Sequence, residues 1–578
     1  MRAILLGAVV ALAAPGTVAN PFPWAQVPAL NAAAVRSSQY VTMGDGLRLA
    51  VEIVRPRGAP PAPRMPVMLR FTRYGRAPQD PSVIPADLAF WATRGYVAVV
   101  VDQRGTGASF GRVSYGKSNL DDMRTILDWI VAQPWSDGRV VSIGSSYEGT
   151  TAELLAATGH PAVRAVAPLY SDYDYLDLFE PGGMYSVGLA TGFSQATAAM
   201  DAGGAAAPVD GDTGDALMRA AVEDHRANPD LAAATRAMEY SDDLVPQFGV
   251  VPADLGILGV RGALGRAKVP ELVVASWYDA ATVFGTLQRY NELAVPQRVV
   301  IVATNHGGGE TVDPYATPAT NTAGAWGPQY RLAFAFFEPF VTGDAPLPGR
   351  SVTYYTVGEN AWKSSEVWPP AGFGPDRWYL GGGRALVRAA ANGGTEQLSL
   401  APVTTGMHSR WFSQLTGEDV LLSDVARAAD TAPAYTSDPL PTSVEVTGTP
   451  QLRLAMSASI ADPSVVAFLL AVAPDGTTYD LTQGELRLVH RKLAPSRITL
   501  HTFARRDALA VVPGTPLDVP IALVPLSATV PKGYRLRIAL AAGERPALVD
   551  GGPYTVVVAA TSYLELPLRA RPDLDGAH

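Results

Sequence analysis

The sequence predicts an α/β protein with a parallel sheet covered on both faces by helices, a helical insertion, and an antiparallel β-sandwich after it. Three observations predict this. Continuously apolar runs alternate with helical spacing from about residue 39 to 170 and return at 271–276 and 298–304; strands apolar on both faces belong to parallel sheets buried between helices. Residues 172–265 interrupt the alternation with an Ala/Gly-rich, helix-patterned stretch. Past about 350, short strand candidates separated by Gly, Pro and Asp turns take over, the pattern of a sandwich or jelly roll.

In chain order, residues 1–19 carry the marks of a signal peptide. Arg2 is the positive start, Ala3 to Ala14 the apolar run, and Thr17-Val18-Ala19 a small-residue cleavage site. The run is too short for a membrane span and Pro15-Gly16 breaks it. A periplasmic or secreted protein, free of the membrane once cleaved near Asn20, is expected. The first part of the α/β domain, 38–171, holds strands at 48–54, 67–72, 97–102, 139–144 and 163–169. Between them, Met123, Ile126, Leu127, Ile130 and Val131 recur at helical spacing.

The insertion, 172–265, has helical stretches at 215–226 and 229–238 and should cap the sheet. Its Asp210-Gly211-Asp212-Thr213-Gly214-Asp215 lacks the closing Glu and spacing of a calcium loop, so a solvated acidic turn with a helix cap is expected. The second part of the α/β domain, 266–348, carries the strands at 271–276 and 298–304. The sandwich is expected over 349–572, with strands at 351–357, 377–380, 451–456, 464–472, 520–524, 533–541 and 554–560 and a hairpin turn at Asp475-Gly476.

Composition removes several function classes. Hydrophobic residues make up 48% of 578 and charged residues 17%, as in compact soluble proteins. The net charge is -9 with no Lys/Arg-rich block, so no nucleic-acid partner is expected. With no cysteine, disulfides, zinc ribbons and thiol nucleophiles are excluded.

The run Val140-Val141-Ser142-Ile143-Gly144-Ser145-Ser146-Tyr147-Glu148-Gly149 carries the chemistry. A strand enters a small-residue turn and leaves as a helix, the layout of a nucleophile elbow. Ser146 sits at its apex, at a helix N-terminus whose free N–H groups can hold an oxyanion. A strict Gly-x-Ser-x-Gly search finds Ser109 instead, within Gly107-Ala108-Ser109-Phe110-Gly111. No helical pattern follows Ser109, so it is read as a loop serine.

A serine nucleophile needs a base and an acid that orients the base. In the α/β-hydrolase arrangement these follow in the order Ser, Asp or Glu, His, each just past a strand. Of seven histidines, His306 directly follows a buried strand and precedes Gly307-Gly308-Gly309. Asp279 closes the strand before it, in Trp277-Tyr278-Asp279. The oxyanion donors are expected to be the Tyr147 backbone N–H and, from the loop Thr72-Arg73-Tyr74-Gly75-Arg76, the Tyr74 phenol.

Together, Thr72-Arg73-Tyr74, Asp102-Gln103-Arg104-Gly105-Thr106-Gly107-Ala108-Ser109, Gln133-Pro134-Trp135-Ser136-Asp137-Gly138, Gly144-Ser145-Ser146-Tyr147-Glu148-Gly149 and Trp277-Tyr278-Asp279 resemble the CocE/NonD hydrolases. That group includes cocaine esterase, α-amino acid ester hydrolases, glutaryl acylases and Xaa-Pro dipeptidyl-peptidases. The resemblance continues through Pro474-Asp475-Gly476, Thr482-Gln483-Gly484-Glu485-Leu486-Arg487 and Gly533-Tyr534-Arg535-Leu536-Arg537. It implies an α/β-hydrolase domain with a cap and a C-terminal jelly roll, a serine hydrolase activity on a small ester, amide or short peptide, and an oxyanion role for Tyr74.

Two departures are visible. The family's usual Gly-Pro-Trp before the residue preceding the histidine is replaced in Ala303-Thr304-Asn305-His306. The acidic pair that α-amino acid ester hydrolases carry just after the catalytic aspartate is replaced by Ala280, Ala281 and Thr282. Asp172 and Asp174, with Trp277, are the candidate substrate contacts left. Uncharged acyl esters are therefore the expected substrates, since an ammonium buried without carboxylates is costly; Xaa-Pro peptides or α-aminoacyl esters are the alternative, and an inactive binding protein that uses the jelly roll is a distant one, against which the complete Ser/Asp/His set argues. The Arg104 to Gly107 loop does not fit Gly-x-Gly-x-x-Gly, and neither cofactor nor metal is expected. Oligomeric state is not indicated.

Overall fold

The computed structural model describes residues 16–576 apart from 23–26, 32, 58–63, 281, 321–325, 344–345, 391–392, 413–419, 496–499 and 550. Among these, an 11-stranded sheet forms the first layer system. Its strands include β1 (Gly16–Val18), β2 (Ala34–Thr42), β3 (Arg48–Pro56), β4 (Met65–Thr72), β5 (Val97–Asp102) and β6 (Ser136–Ser145). β7 (Val163–Leu169), β8 (Glu271–Ser276), β9 (Gln297–Val302), Ser351–Thr356 and Ala361–Ser365 complete it. From β5 through β4, β6, β7, β8 and β9 to Ser351–Thr356 every pairing is parallel. The flanks, β3 and β2 on one side and Ala361–Ser365 and β1 on the other, are antiparallel.

The continuous apolar runs follow from this layering. Val67 and Leu69 of β4 pack with Met123, Ile126 and Leu127 of helix Leu120–Val131 on one face. Met68, one residue out of step, packs with Leu88 and Trp91 of helix Ala86–Ala92 and with Phe337 of helix Trp326–Thr342 on the other. Successive side chains point to opposite faces, and both faces are covered.

One expectation is corrected. Ser351–Thr356, assigned above to the sandwich, pairs in parallel with β9 and extends the first sheet, and Ala361–Ser365 pairs with it in turn. Ser351–Thr356 alternates buried and half-buried residues, and this single-face burial reads in a sequence as an antiparallel strand. The end of the expected signal segment, Gly16–Val18, is an edge strand against Trp362 to Ser364; residues 1–15 lie outside the described residues.

The insertion forms short helices at Tyr175–Phe179, Val187–Ala199, Ala216–Asp224 and Leu231–Arg236. In its acidic turn, Asp212 accepts from the Leu217 and Met218 N–H groups, both at 2.9 Å. Beyond Gly374 the chain builds a 9-stranded and a 4-stranded sheet, whose main pairings are antiparallel. No described helix is long and apolar enough to cross a membrane.

Candidate active site

β6 delivers the chain to Ser146, which adopts φ 61° and ψ -130°, and helix Tyr147–Ala157 starts at the next residue. That backbone is unfavourable for a non-glycine residue. It is held by the Ser146 N–H on Leu169 O at 2.9 Å and by Gly149 and Thr150 N–H on Ser146 O at 2.9 and 3.1 Å. Glycines allow the close approach. A Cβ on Gly144 would lie 2.3 Å from Glu148 O, and one on Gly149 would lie 2.8 Å from Leu169 O. The second glycine of the elbow is therefore needed at 149. Ser109, by contrast, is fully buried. Its hydroxyl accepts from Ala50 N–H at 2.8 Å and donates to Asp102 O at 2.5 Å.

His306 follows β9 on a short turn, with Nδ1 2.9 and 3.0 Å from the two Asp279 carboxylate oxygens. A carboxylate accepts, so Nδ1 carries the proton and Nε2 is left as a base. Asp279 is fully buried at the end of β8 and also accepts from the Thr282 hydroxyl at 3.1 Å. Burial works against a charged His306. The Asp279 carboxylate and its hydrogen bond, helped by Asp172, outweigh burial and raise the imidazole above its ordinary pKa.

The segment Ala303-Thr304-Asn305 before the histidine is itself tied down. Thr304 N–H donates to Ser276 Oγ at 3.0 Å, and Asn305 Oδ1 accepts from Glu310 N–H at 2.9 Å. Tyr170, which sequence reasoning missed, packs its ring edge-on to His306, and Gln329 joins its hydroxyl to Gly307 O. Nothing local in the sequence marks Tyr170 or Gln329, since both act only through the folded loop.

Tyr74 borders the same cavity as Ser146, and burial raises its phenol well above the ordinary range, so it stays neutral there. The Tyr147 phenol is turned away onto Gln103. Its backbone N–H, the first of its helix, lacks a helical acceptor. Ser146, His306, Tyr74, Tyr147 and Asp172 line one cavity of about 290 Å³. Its remaining wall is mostly apolar, with Leu178, Phe179, Leu189, Phe193 and Met200 from the insertion. Burial pushes Asp172 up to about 7, against the pull of His306. Thr197 also borders a second cavity of about 770 Å³ between the cap and Arg73, Val113 and Tyr115 of the α/β domain.

Two of the candidate contacts are displaced from this cavity. Asp174 caps helix Tyr175–Phe179, accepting from Leu176 N–H at 3.0 Å. Trp277 is buried against Trp368 and donates Nε1–H to Tyr355 O at 2.8 Å. An Asp just before a helix has a local use, and a Trp ending a central strand is absorbed by the core beside it.

Residues 45–308 match the family model for X-Pro dipeptidyl-peptidase (S15 family), and residues 349–556 match that for the X-Pro dipeptidyl-peptidase C-terminal non-catalytic domain. A Mycobacterium bovis protein provisionally named a serine esterase is 31% identical over 92% of this chain and 95% of its own length. The chain belongs to the CocE/NonD family of serine hydrolases. Cocaine esterase from Rhodococcus sp. is 26% identical over 79% of this chain and 84% of its own length. The CocE/NonD fold recurs in an α-amino acid ester hydrolase (TM-score 0.69, 19% identity, 95% of this chain and 98% of that one). A CocE/NonD family hydrolase from Staphylococcus aureus also has a TM-score of 0.69, at 17% identity over 93% and 94%.

Proposed function

We propose that this CocE/NonD hydrolase is an exported esterase that cleaves uncharged acyl esters, and related amides, through an acyl-enzyme on Ser146. The observation that carries the reading is His306, paired with Asp279 at 2.9 and 3.0 Å and lining the same cavity as a serine on a strained elbow. Ser146 Oγ attacks the carbonyl as His306 Nε2 takes its proton, and Asp279 holds the Nδ1 proton in place. The oxyanion receives the Tyr74 O–H and the Tyr147 N–H. His306 then returns the proton to the leaving alcohol, and a water repeats the sequence on the acyl-enzyme. The apolar cavity wall supports a neutral acyl group. Export rests on the signal-like residues 1–19, and N-terminal sequencing of the exported protein should begin near Asn20.

A second reading, hydrolysis of aminoacyl esters or Xaa-Pro peptides, is favoured by Asp172 in the cavity and by the name of the matching family model. Matched acyl and α-aminoacyl esters separate the two. Neutral esters should have the higher kcat/KM. The gap should widen below about pH 7, where Asp172 becomes neutral and offers an ammonium no charge. A preference for the free α-amino compound, or fast Xaa-Pro turnover, would establish the second reading instead.

The nucleophile is tested with a fluorophosphonate probe and mass spectrometry. The label should fall on Ser146 and vanish in Ser146→Ala. Ser109→Ala should keep label and turnover while losing about 1–3 kcal/mol of stability, because it leaves buried Ala50 N–H unpaired. A label on Ser109 would sink the assignment.

A further inference from the structure

The turn that carries Asp279 is held from outside the α/β domain. Arg410, in the segment matched to a C-terminal non-catalytic domain, donates Nη1–H to Trp277 O at 3.2 Å and to Ala280 O at 3.4 Å. In return the Ala280 N–H donates to Arg410 O at 3.3 Å. Three hydrogen bonds thus bracket Tyr278 and Asp279. The turn needs them, because Ala280 has φ 42°, a left-handed backbone that costs a residue with a Cβ. Ala280 is also fully buried in a cluster made mainly of sandwich residues, among them Trp411, Val425 and Phe468.

The guanidinium is equipped for this place. Arg410 is 2% exposed. Asp480 is 1% exposed and interacts electrostatically with Arg410, and Glu544, fully buried, lies near Asp480. The guanidinium also lies over the Tyr278 ring at 5.8 Å. The two next residues extend the wedge. Trp411 Nε1–H donates to Glu544 at 3.2 Å. Phe412 abuts Gly188, where a Cβ would meet its ring at 2.5 Å, at the start of the helix that supplies Leu189 and Phe193 to the cavity. A buried charge kept only for stability has a weak rationale, since apolar packing would serve as well. Its two bonds to carbonyls flanking Asp279 supply a different one.

We propose that Arg410 is a positioning residue for the relay: the sandwich domain, through Arg410, fixes the Ala280 turn so that Asp279 meets His306 Nδ1. The proposal rests on the reading of Ser146, His306 and Asp279 as the triad. Its signature is in the imidazole. His306 faces Asp279, Asp172 and Tyr170. Asp279 raises its pKa while burial lowers it. Loosening Asp279 therefore lowers the His306 pKa, and the acid limb of kcat/KM, which reports that group, moves to lower pH.

Arg410→Met and Arg410→Lys are compared with Val425→Ala, a buried residue of the same cluster on helix Leu422–Ala429, with rates expressed per fluorophosphonate-titrated site. The Arg410 variants should lose about 10²-fold in kcat, the scale of a misplaced catalytic group. Their KM should stay within about twofold, and their acid limb should shift down by at least about half a pH unit. Val425→Ala should lose thermal stability alone. If Arg410→Met yields no folded protein, Arg410→Lys decides on the same readouts, since one ammonium replaces the planar fork. Wild-type kcat per site with an unmoved acid limb in the folded Arg410 variants would overturn the proposal. Asp279→Asn separates the two levels. If it stays active, the triad reading falls; if it is inactive while the Arg410 variants are normal, only the clamp falls.

Discussion

At the residue scale, the sequence was most legible where a side chain had no alternative reason to be. Ser146, Asp279 and His306 each stand one to four residues beyond a strand of the parallel sheet, and the structure brings Asp279 onto His306 and places His306 in one cavity with Ser146. Asp174 and Trp277 misled because each has a local use, one as a helix cap and the other as a core indole. Arg410 was invisible, since its partners are backbone carbonyls far away in sequence. The residue with the sharpest separable effect is Tyr74. Tyr74→Phe removes one hydroxyl from the Ser146 side of the cavity and little volume. The expected loss is about 10²–10³ in kcat, the usual cost of one oxyanion donor, with the melting temperature nearly unchanged. Steady-state kinetics beside a thermal scan check it, and an unchanged kcat would return Tyr74 to packing.

At the element scale, the strands were read well and the cap in part: its helical stretches at 215–226 and 229–238 stand as Ala216–Asp224 and Leu231–Arg236. β5, β7 and β8 fall where the apolar runs stand, because a strand buried on both faces must be apolar throughout. Helix Val187–Ala199, which supplies much of the cavity wall, escaped detection. Its three large apolar residues, Val187, Leu189 and Phe193, are set among Gly, Ala, Thr, Ser and Gln without a clear apolar stripe, since one side meets the cavity and another the sandwich. The elbow is the element whose function depends most on shape. Gly149→Ala sets a methyl 2.8 Å from Leu169 O and 2.9 Å from Ser171 Cβ, and β7 cannot yield without disturbing the sheet. Overpacking of this kind costs about 1–3 kcal/mol. The displaced Ser146 should lose about 10²-fold in kcat. Denaturant melts and turnover on one ester, read together, test this; full activity would mean the elbow tolerates a wider spacing than its contacts indicate.

At the scale of the whole molecule, the boundary drawn from the sequence near 349, where the second family model also begins, is crossed by a sheet and by the core. Ser351–Thr356 and Ala361–Ser365 belong to the first sheet. The largest hydrophobic cluster runs without a break from Val273, Val299 and Ile301 of that sheet to Leu454, Leu469 and Ile538 of the sandwich. Strand composition changes near 350 because the second half is antiparallel, not because the core ends there. Two domains sharing one core have no separate stability to show. Calorimetry of the full chain should therefore give one cooperative transition, with calorimetric and van't Hoff enthalpies in agreement. A fragment ending at residue 348 would lose the strand that covers β9 and the whole sandwich side of the cluster. It should be recovered only as aggregate, since an open parallel edge beside exposed apolar surface invites association. Two resolved transitions, or a soluble 1–348 fragment that still accepts the serine probe, would show that the α/β domain stands alone.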